Sequence, residues 1–225
     1  MRSSIFDRVK TKWQKKFGNA QYGKLWNEQH DNEWYLKIHN SNYLLHDDFK
    51  KFLKSKNDIK TVLEVGCGFG IYPINNNELF SGIEYTGIDI SEPAIEYCKK
   101  NSSFEFILGD LIKLELDKKY DLVFSHAVVD HVYDIDAFIT KIIKHTRKYA
   151  YINSYRGYFP SLKEHKMRWD GNYGCYFNDL SVDRLTELLK RIGLSDDEFI
   201  IKPQKSGQTE KNLGIQTNII VTLHG

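Results

Sequence analysis

The sequence has little net charge, few cysteines and no long apolar run, and each shortage removes a class of function. Across 225 residues, 32 Lys and Arg stand against 30 Asp and Glu, a formal charge of +2. No basic footprint therefore points to nucleic acid as a partner. The three cysteines, Cys67, Cys98 and Cys175, are odd in number and irregularly spaced. With no Cys-x-x-Cys pair, neither a zinc site nor a redox couple is indicated, no metal is expected, and reduced thiols in a cytoplasm are the expectation. The chain lacks the roughly eighteen consecutive apolar residues of a membrane span, and its basic first residues lack the apolar centre of a signal peptide. Repeats and low-complexity linkers are also missing, so one α/β domain with a small elaboration is the economical reading at this length.

What the sequence does have begins at Thr61-Val62-Leu63-Glu64-Val65, an apolar run that breaks into Gly66-Cys67-Gly68-Phe69-Gly70. Glycine permits positive φ and carries no Cβ, so a strand feeding such a turn can bring backbone against a bound small molecule. A dinucleotide fingerprint needs its third glycine three positions after its second, and that position holds Ile71. The phosphate-cradling spacing fails, while a nucleoside still fits. A second apolar stretch, Tyr85-Thr86-Gly87-Ile88, ends in Asp89, about twenty positions on, where a carboxylate can accept from a ribose diol. A third, Phe104 to Leu108, closes on Gly109-Asp110. A fourth, Tyr120 to Ser125, runs into His126-Ala127-Val128-Val129-Asp130-His131.

These four motifs, in this order, resemble those of the class I S-adenosylmethionine-dependent methyltransferases, firmly over residues 58 to 155 and loosely beyond. The resemblance implies S-adenosylmethionine as cofactor, S-adenosylhomocysteine as product and a small-molecule methyl acceptor as partner. It implies cofactor contacts from Glu64, Gly66, Cys67, Gly68 and Gly70 around the turn, Asp89 and Ile90 at the ribose, Asp110 and Leu111 beside the adenine, and Ser125 and His126 facing the transferable methyl. The fold it implies is a doubly wound, seven-stranded, mostly parallel Rossmann-like sheet with an N-terminal helical cap over residues 1–50. The methyltransferase domain then spans 51–225, with 155–180 an insert after the fifth strand.

Patterning agrees with alternating strands and helices. Ser91 and Pro93 start a helix toward Lys100. Ile135, Phe138, Ile139, Ile142 and Ile143 form one stripe of another. Lys148 to Ser154 reads as the fifth strand, and Ser181 caps a helix through Val182, Leu185, Leu188, Leu189 and Ile192 that Gly193 ends. Glu198 to Lys202 and Gln216 to Leu223 read as a terminal hairpin.

Substrate choice is expected in the two aromatic-rich regions outside this core. In residues 1–50 these are Trp13, Tyr22, Trp26, His30, Trp34, Tyr35 and His39; the run Arg8 to Lys16 reads as a solvated helix face. In 155–180, Arg156, Lys163, Lys166 and Arg168 oppose Glu164 alone up to Trp169, which suits an anionic acceptor, with a solvated loop the competing explanation. Tyr22, Arg156, His165, Arg168, Trp169 and Tyr176 are the substrate-side candidates. His131, His126 and His165 are candidate general bases, His131 slightly preferred and Asp130 able to orient either neighbour. Ser125-His126-Ala127-Val128 lacks the Asp/Asn-Pro-Pro-aromatic signature of adenine or glutamine amino methylation, and no cysteine lies near for carbon methylation of cytosine. Oxygen or nitrogen methylation of a small metabolite remains, a sugar or sugar-phosphate surface-glycan precursor being the favoured acceptor. The alternative is a non-catalytic cofactor-binding or regulatory subunit. The sequence sets no oligomeric state.

Overall fold

The computed structural model describes residues 21–28, 47–205 and 214–224. The expectations placed on Trp13, His30, Trp34, Tyr35, His39 and the Arg8 to Lys16 run lie outside these described residues. After two helices, α1 (Lys24–Glu28) and α2 (Asp47–Lys54), come β1 (Thr61–Val65), β2 (Glu84–Asp89), α3 (Glu92–Asn101), β3 (Glu105–Leu108), β4 (Tyr120–His126), α4 (Ile135–His145) and β5 (Thr146–Ser154). The chain continues through β6 (Lys166–Asp170), β7 (Cys175–Asp179), α5 (Val182–Arg191), β8 (Phe199–Lys205) and β9 (Ile215–Thr222).

Seven strands form one sheet in the order β3-β2-β1-β4-β5-β9-β8. The first five pair in parallel, and β9 runs antiparallel to both β5 and β8. The chain winds outward from β1 through β2 to β3, then returns to lay β4 on the other side of β1. This reversal leaves a crevice beyond the carboxyl ends of β1 and β4, which is where open α/β sheets bind ligands. The glycine turn follows β1 and the histidine-bearing segment follows β4, so the fold brings the first and fourth motifs to the two sides of one crevice.

Every residue of β4 is buried, as a central parallel strand covered on both faces requires. Alternation along the strands divides the core. Leu63, Val65, Val123, Ala150 and Ile152 face α4 and α5, where Phe138, Ile139, Ile142, Leu185, Leu188 and Leu189 cover them. Val62, Tyr85, Leu122, Phe124 and Tyr151 point the other way, against Phe49 and Leu53 of α2 and Ile95 and Cys98 of α3. The apolar stripes read from the sequence in α4 and α5 are those that meet the sheet. Ser91 and Ser181 are N-caps, their hydroxyls accepting from Ala94 N (3.4 Å) and Arg184 N (3.2 Å).

The insert, to which the sequence assigned no elements, holds β6 and β7 as a separate antiparallel hairpin, pairing Trp169 with Tyr176. The strand read over 198–202 extends through Pro203 to Lys205. β8 is the sheet edge, where a residue without an N–H is tolerated.

Candidate active site

The glycine turn is held from below. Gly66 N and Cys67 N both donate to Ile88 O (2.7 and 3.1 Å). Gly68 N donates to Asp89 Oδ2 (2.8 Å), and the Cys98 thiol donates to Gly68 O (3.3 Å). Gly66, Gly68 and Gly70 all take positive φ. A Cβ on Gly66 would overlap Val128 Cγ2, whereas a Cβ on Gly68 would meet nothing within 4 Å. Gly66 is thus fixed by the opposing β4 loop, and Gly68 leaves room for a ligand.

Asp89 closes this edge. Its Oδ1 accepts from Ser91 N (2.8 Å) and its Oδ2 from Gly68 N. Burial pushes its carboxyl above the ordinary range against the pull of these N–H groups. Each oxygen keeps further acceptor capacity toward the cavity it lines. The cavity runs past Val65, Ile88, Ile90, Gly109, Asp110 and Leu111 to the β4 side, where His126, Ala127, Val128 and His131 form the facing wall under Tyr22 and Trp26. Ala127 sits at φ +58 with its N–H donated to Asn153 O (3.1 Å), a left-handed conformation that costs a non-glycine residue roughly 1–2 kcal/mol.

His131 is held at both ring nitrogens. Its Nδ1 lies 2.9 Å from Tyr176 O, and a carbonyl can only accept, so Nδ1 carries the proton. Nε2 then holds a lone pair, 3.1 Å from the Tyr155 hydroxyl, which donates to it. Burial lowers the imidazole pKa. Trp26 and Phe177 meet the ring edge-on at 5.6 and 5.3 Å. Beneath it, buried Asp130 accepts from Ser154 Oγ (2.6 Å), Tyr155 N (3.4 Å) and Arg156 N (3.3 Å), and its O accepts from Asn178 N (2.8 Å), tying the β4 loop to both ends of the insert. Burial raises the Asp130 carboxyl to about 6.

The structure brings Gly66, Gly68, Asp89, Ile90, Asp110, Leu111, His126, His131 and Tyr22 to one cavity, and does not bring the rest. Glu64 points to the α2 face and accepts from the Tyr85 hydroxyl, burial raising its carboxyl well above the usual range. Cys67 and Ser125 are buried outside the lining, and Gly70 supports the turn against Ile74 and Cys98. His126 lines the cavity, but its ring packs among Phe49, Tyr72 and Tyr151. His165 sits at the start of α5, its Nδ1 accepting from Ser181 N (2.9 Å). Arg156 pairs with Asp179 (2.9 Å) and Arg168 with Asp170 (3.3 Å), and both guanidinium groups lie over the Phe177 ring. Trp169 packs on Tyr176, whose carbonyl holds His131. From the insert, then, the contribution is support of His131. Among the described residues, no cluster of His, Cys, Asp or Glu could hold a metal ion.

In the sequence Trp26 is one aromatic among many and Tyr133 carries no motif, while Val128 lies within the fourth motif with nothing to mark its place against Gly66.

Residues 56–193 match the family model described as a methyltransferase domain. The chain belongs to that methyltransferase family. It is 29% identical over 149 residues to the ubiquinone biosynthesis O-methyltransferase of Rickettsia prowazekii, covering 63% of this chain and 53% of that protein. Against the pavine N-methyltransferase of Thalictrum flavum it is 32% identical over 91 residues, 38% of this chain and 26% of that one. The matches thus span about a quarter to a half of these curated relatives. In fold it is similar to the plantazolicin methyltransferase BpumL, solved with S-adenosylhomocysteine, at TM-score 0.63 and 14% identity over 97% of this chain and 100% of that one.

Two outcomes follow. Gly66→Ala should cost roughly 2–4 kcal/mol of stability from overpacking and positive φ, and adding Val128→Ala should recover part of it in denaturant titrations; equal losses in both backgrounds would mean that Val128 does not fix the turn. For Asp130, a carboxyl raised on folding favours the native state below its unfolded value and loses that favour as pH rises through about 6. Asp130→Asn cannot ionise, so between pH 4 and 7.5 its stability should shift relative to wild type by on the order of 2 kcal/mol in its favour; a constant difference would refute the buried, raised carboxyl.

Proposed function

We propose that this chain transfers the methyl group of S-adenosylmethionine to an oxygen or nitrogen of a small-molecule acceptor. The observation that carries the reading is one cavity with an open glycine turn and Asp89 at one wall and a neutral, Nδ1-protonated His131 at the other. The donor set suits the cofactor: Gly68 leaves space where a side chain would stand, and Asp89 retains acceptor capacity for a ribose diol. Relatives named for O- and N-methylation support either acceptor atom.

The cofactor supplies a methyl group already activated on a sulphonium. The residues of this chain then have three tasks. The glycine turn and Asp89 hold the ribose end. Tyr22 and Trp26 roof the facing wall and exclude water. His131 Nε2 takes the proton of the acceptor, exchanging its hydrogen bond from Tyr155 for one from the acceptor. Because burial lowers its pKa, the ring is in its basic form at neutral pH.

A sugar-phosphate acceptor would need free cations, and Arg156 and Arg168 are already paired with Asp179 and Asp170. The aromatic Tyr22, Trp26 and His131 wall favours a neutral acceptor with an apolar or aromatic face.

Calorimetry tests the cofactor: S-adenosylhomocysteine should bind and NAD should not, and Asp89→Ala should weaken binding by roughly 1.5–3 kcal/mol. NAD binding without S-adenosylhomocysteine binding would sink the reading. With an acceptor in hand, His131→Ala should lower kcat by roughly 10²–10⁴ at nearly constant cofactor Kd and remove the acidic limb of the pH–rate profile. Wild-type kinetics in that variant would remove His131 from the chemistry.

A further inference from the structure

Tyr133, between the His131 turn and α4, is buried, and its hydroxyl donates to Asp110 Oδ2 at 2.9 Å. The other Asp110 oxygen accepts from Ile112 N at 3.0 Å. Lys113 Nζ stands 3.7 Å from Oδ2 and 5.4 Å from the centroid of the Tyr133 ring. From the opposite side Tyr22, itself in the cavity lining, meets the Tyr133 ring edge-on at 5.0 Å. Three donors or cations therefore fix the carboxylate from outside the cavity, and its remaining lone pairs serve the cavity it lines.

A carboxylate so placed can only accept, so a ligand group facing it must donate. Burial, and then the neighbouring Asp110 charge, push the Tyr133 phenol well above its ordinary pKa. The hydroxyl is thus a donor at any working pH and never competes with the ligand for the role of acceptor.

We propose that Tyr133 is the positioning residue for base recognition: it holds the Asp110 carboxylate in the orientation that accepts from an exocyclic amino group, so that the site selects an amino-bearing purine over its carbonyl counterpart. The proposal rests on the reading above that S-adenosylmethionine is the cofactor and on the expectation that its adenine lies beside Asp110 and Leu111. Tyr133→Phe keeps the ring between Tyr22 and Lys113 while deleting the hydrogen bond. The carboxylate is then free to turn away from the base. A role confined to packing would instead change the affinity for both bases together.

The test is calorimetric titration of S-adenosylhomocysteine and of S-inosylhomocysteine, in which a carbonyl replaces the amino group, into wild type, Tyr133→Phe and Asp110→Asn. Wild type should prefer the amino form by roughly 10- to 100-fold, the range for one hydrogen bond to a charged group. Tyr133→Phe should lower that ratio about tenfold, and Asp110→Asn should abolish it, because an amide can turn to donate to the carbonyl. A wild-type ratio in Tyr133→Phe beside a collapsed ratio in Asp110→Asn overturns the proposal. Unchanged ratios in both variants overturn it together with the adenine position beneath it, and loss of S-adenosylhomocysteine binding by wild type overturns the cofactor reading instead.

Discussion

The Asp89 carboxylate, accepting from Gly68 N and Ser91 N at 2.8 Å each, joins the parts of the molecule on which the site depends. Through Gly68 it fixes the turn after β1, and through Ser91 it fixes the start of α3. The same Ser91 donates its hydroxyl to Trp26 O (2.6 Å), and Glu92 N donates to the Asn27 side chain (3.2 Å). Segment 21–28 is thereby anchored to the Asp89 edge of the cavity at one end, while Gly23 N donates to Gly174 O (3.0 Å) in the β6–β7 turn. One carboxylate thus sits where the first motif, the second motif and the roof over the facing wall converge.

Burying acids in this way is costly, and the costs lie around the crevice. Glu64, Asp89 and Asp130 are all carboxyls raised by burial. Each is offset locally: Glu64 by the Tyr85 hydroxyl, Asp89 by two backbone N–H groups, Asp130 by the Ser154 hydroxyl and two more N–H groups. Ala127 adds backbone strain at the end of β4. Of the groups shifted by burial, Asp89 and His131 line one cavity together with the strained Ala127, the pattern expected of a functional site rather than of a uniformly packed core.

The first three strands were legible because each is an apolar run closed by glycine or an acid, and helices α4 and α5 because their stripes repeat at helical spacing, α5 behind its Ser181 cap. The β6–β7 hairpin was not. Lys166, Met167 and Arg168 are exposed, so the strand carries no apolar alternation, and it is held by cross-strand partners such as Trp169 with Tyr176. Among the histidines, spacing could not separate a ring at a strand end that packs with Phe49 and Tyr72 from one in the next turn held by Tyr176 O and Tyr155. The positive run of the insert was equally opaque: Asp179, which pairs with Arg156, is distant in sequence, and Asp170, which pairs with Arg168, lies one residue beyond the run that ends at Trp169.

The central claim is that the crevice between β1 and β4 holds the nucleoside end of the cofactor at Asp89 and turns its sulphur toward His131. The most direct measurement is a crystal structure with S-adenosylhomocysteine bound. The account predicts both ribose hydroxyls within hydrogen-bond distance of the Asp89 carboxylate, the purine between Ile90 and Leu111 with its amino group on Asp110, and the sulphur facing the wall formed by Trp26 and His131. A ligand seated elsewhere, or seated in the crevice with its ribose away from Asp89, would contradict it.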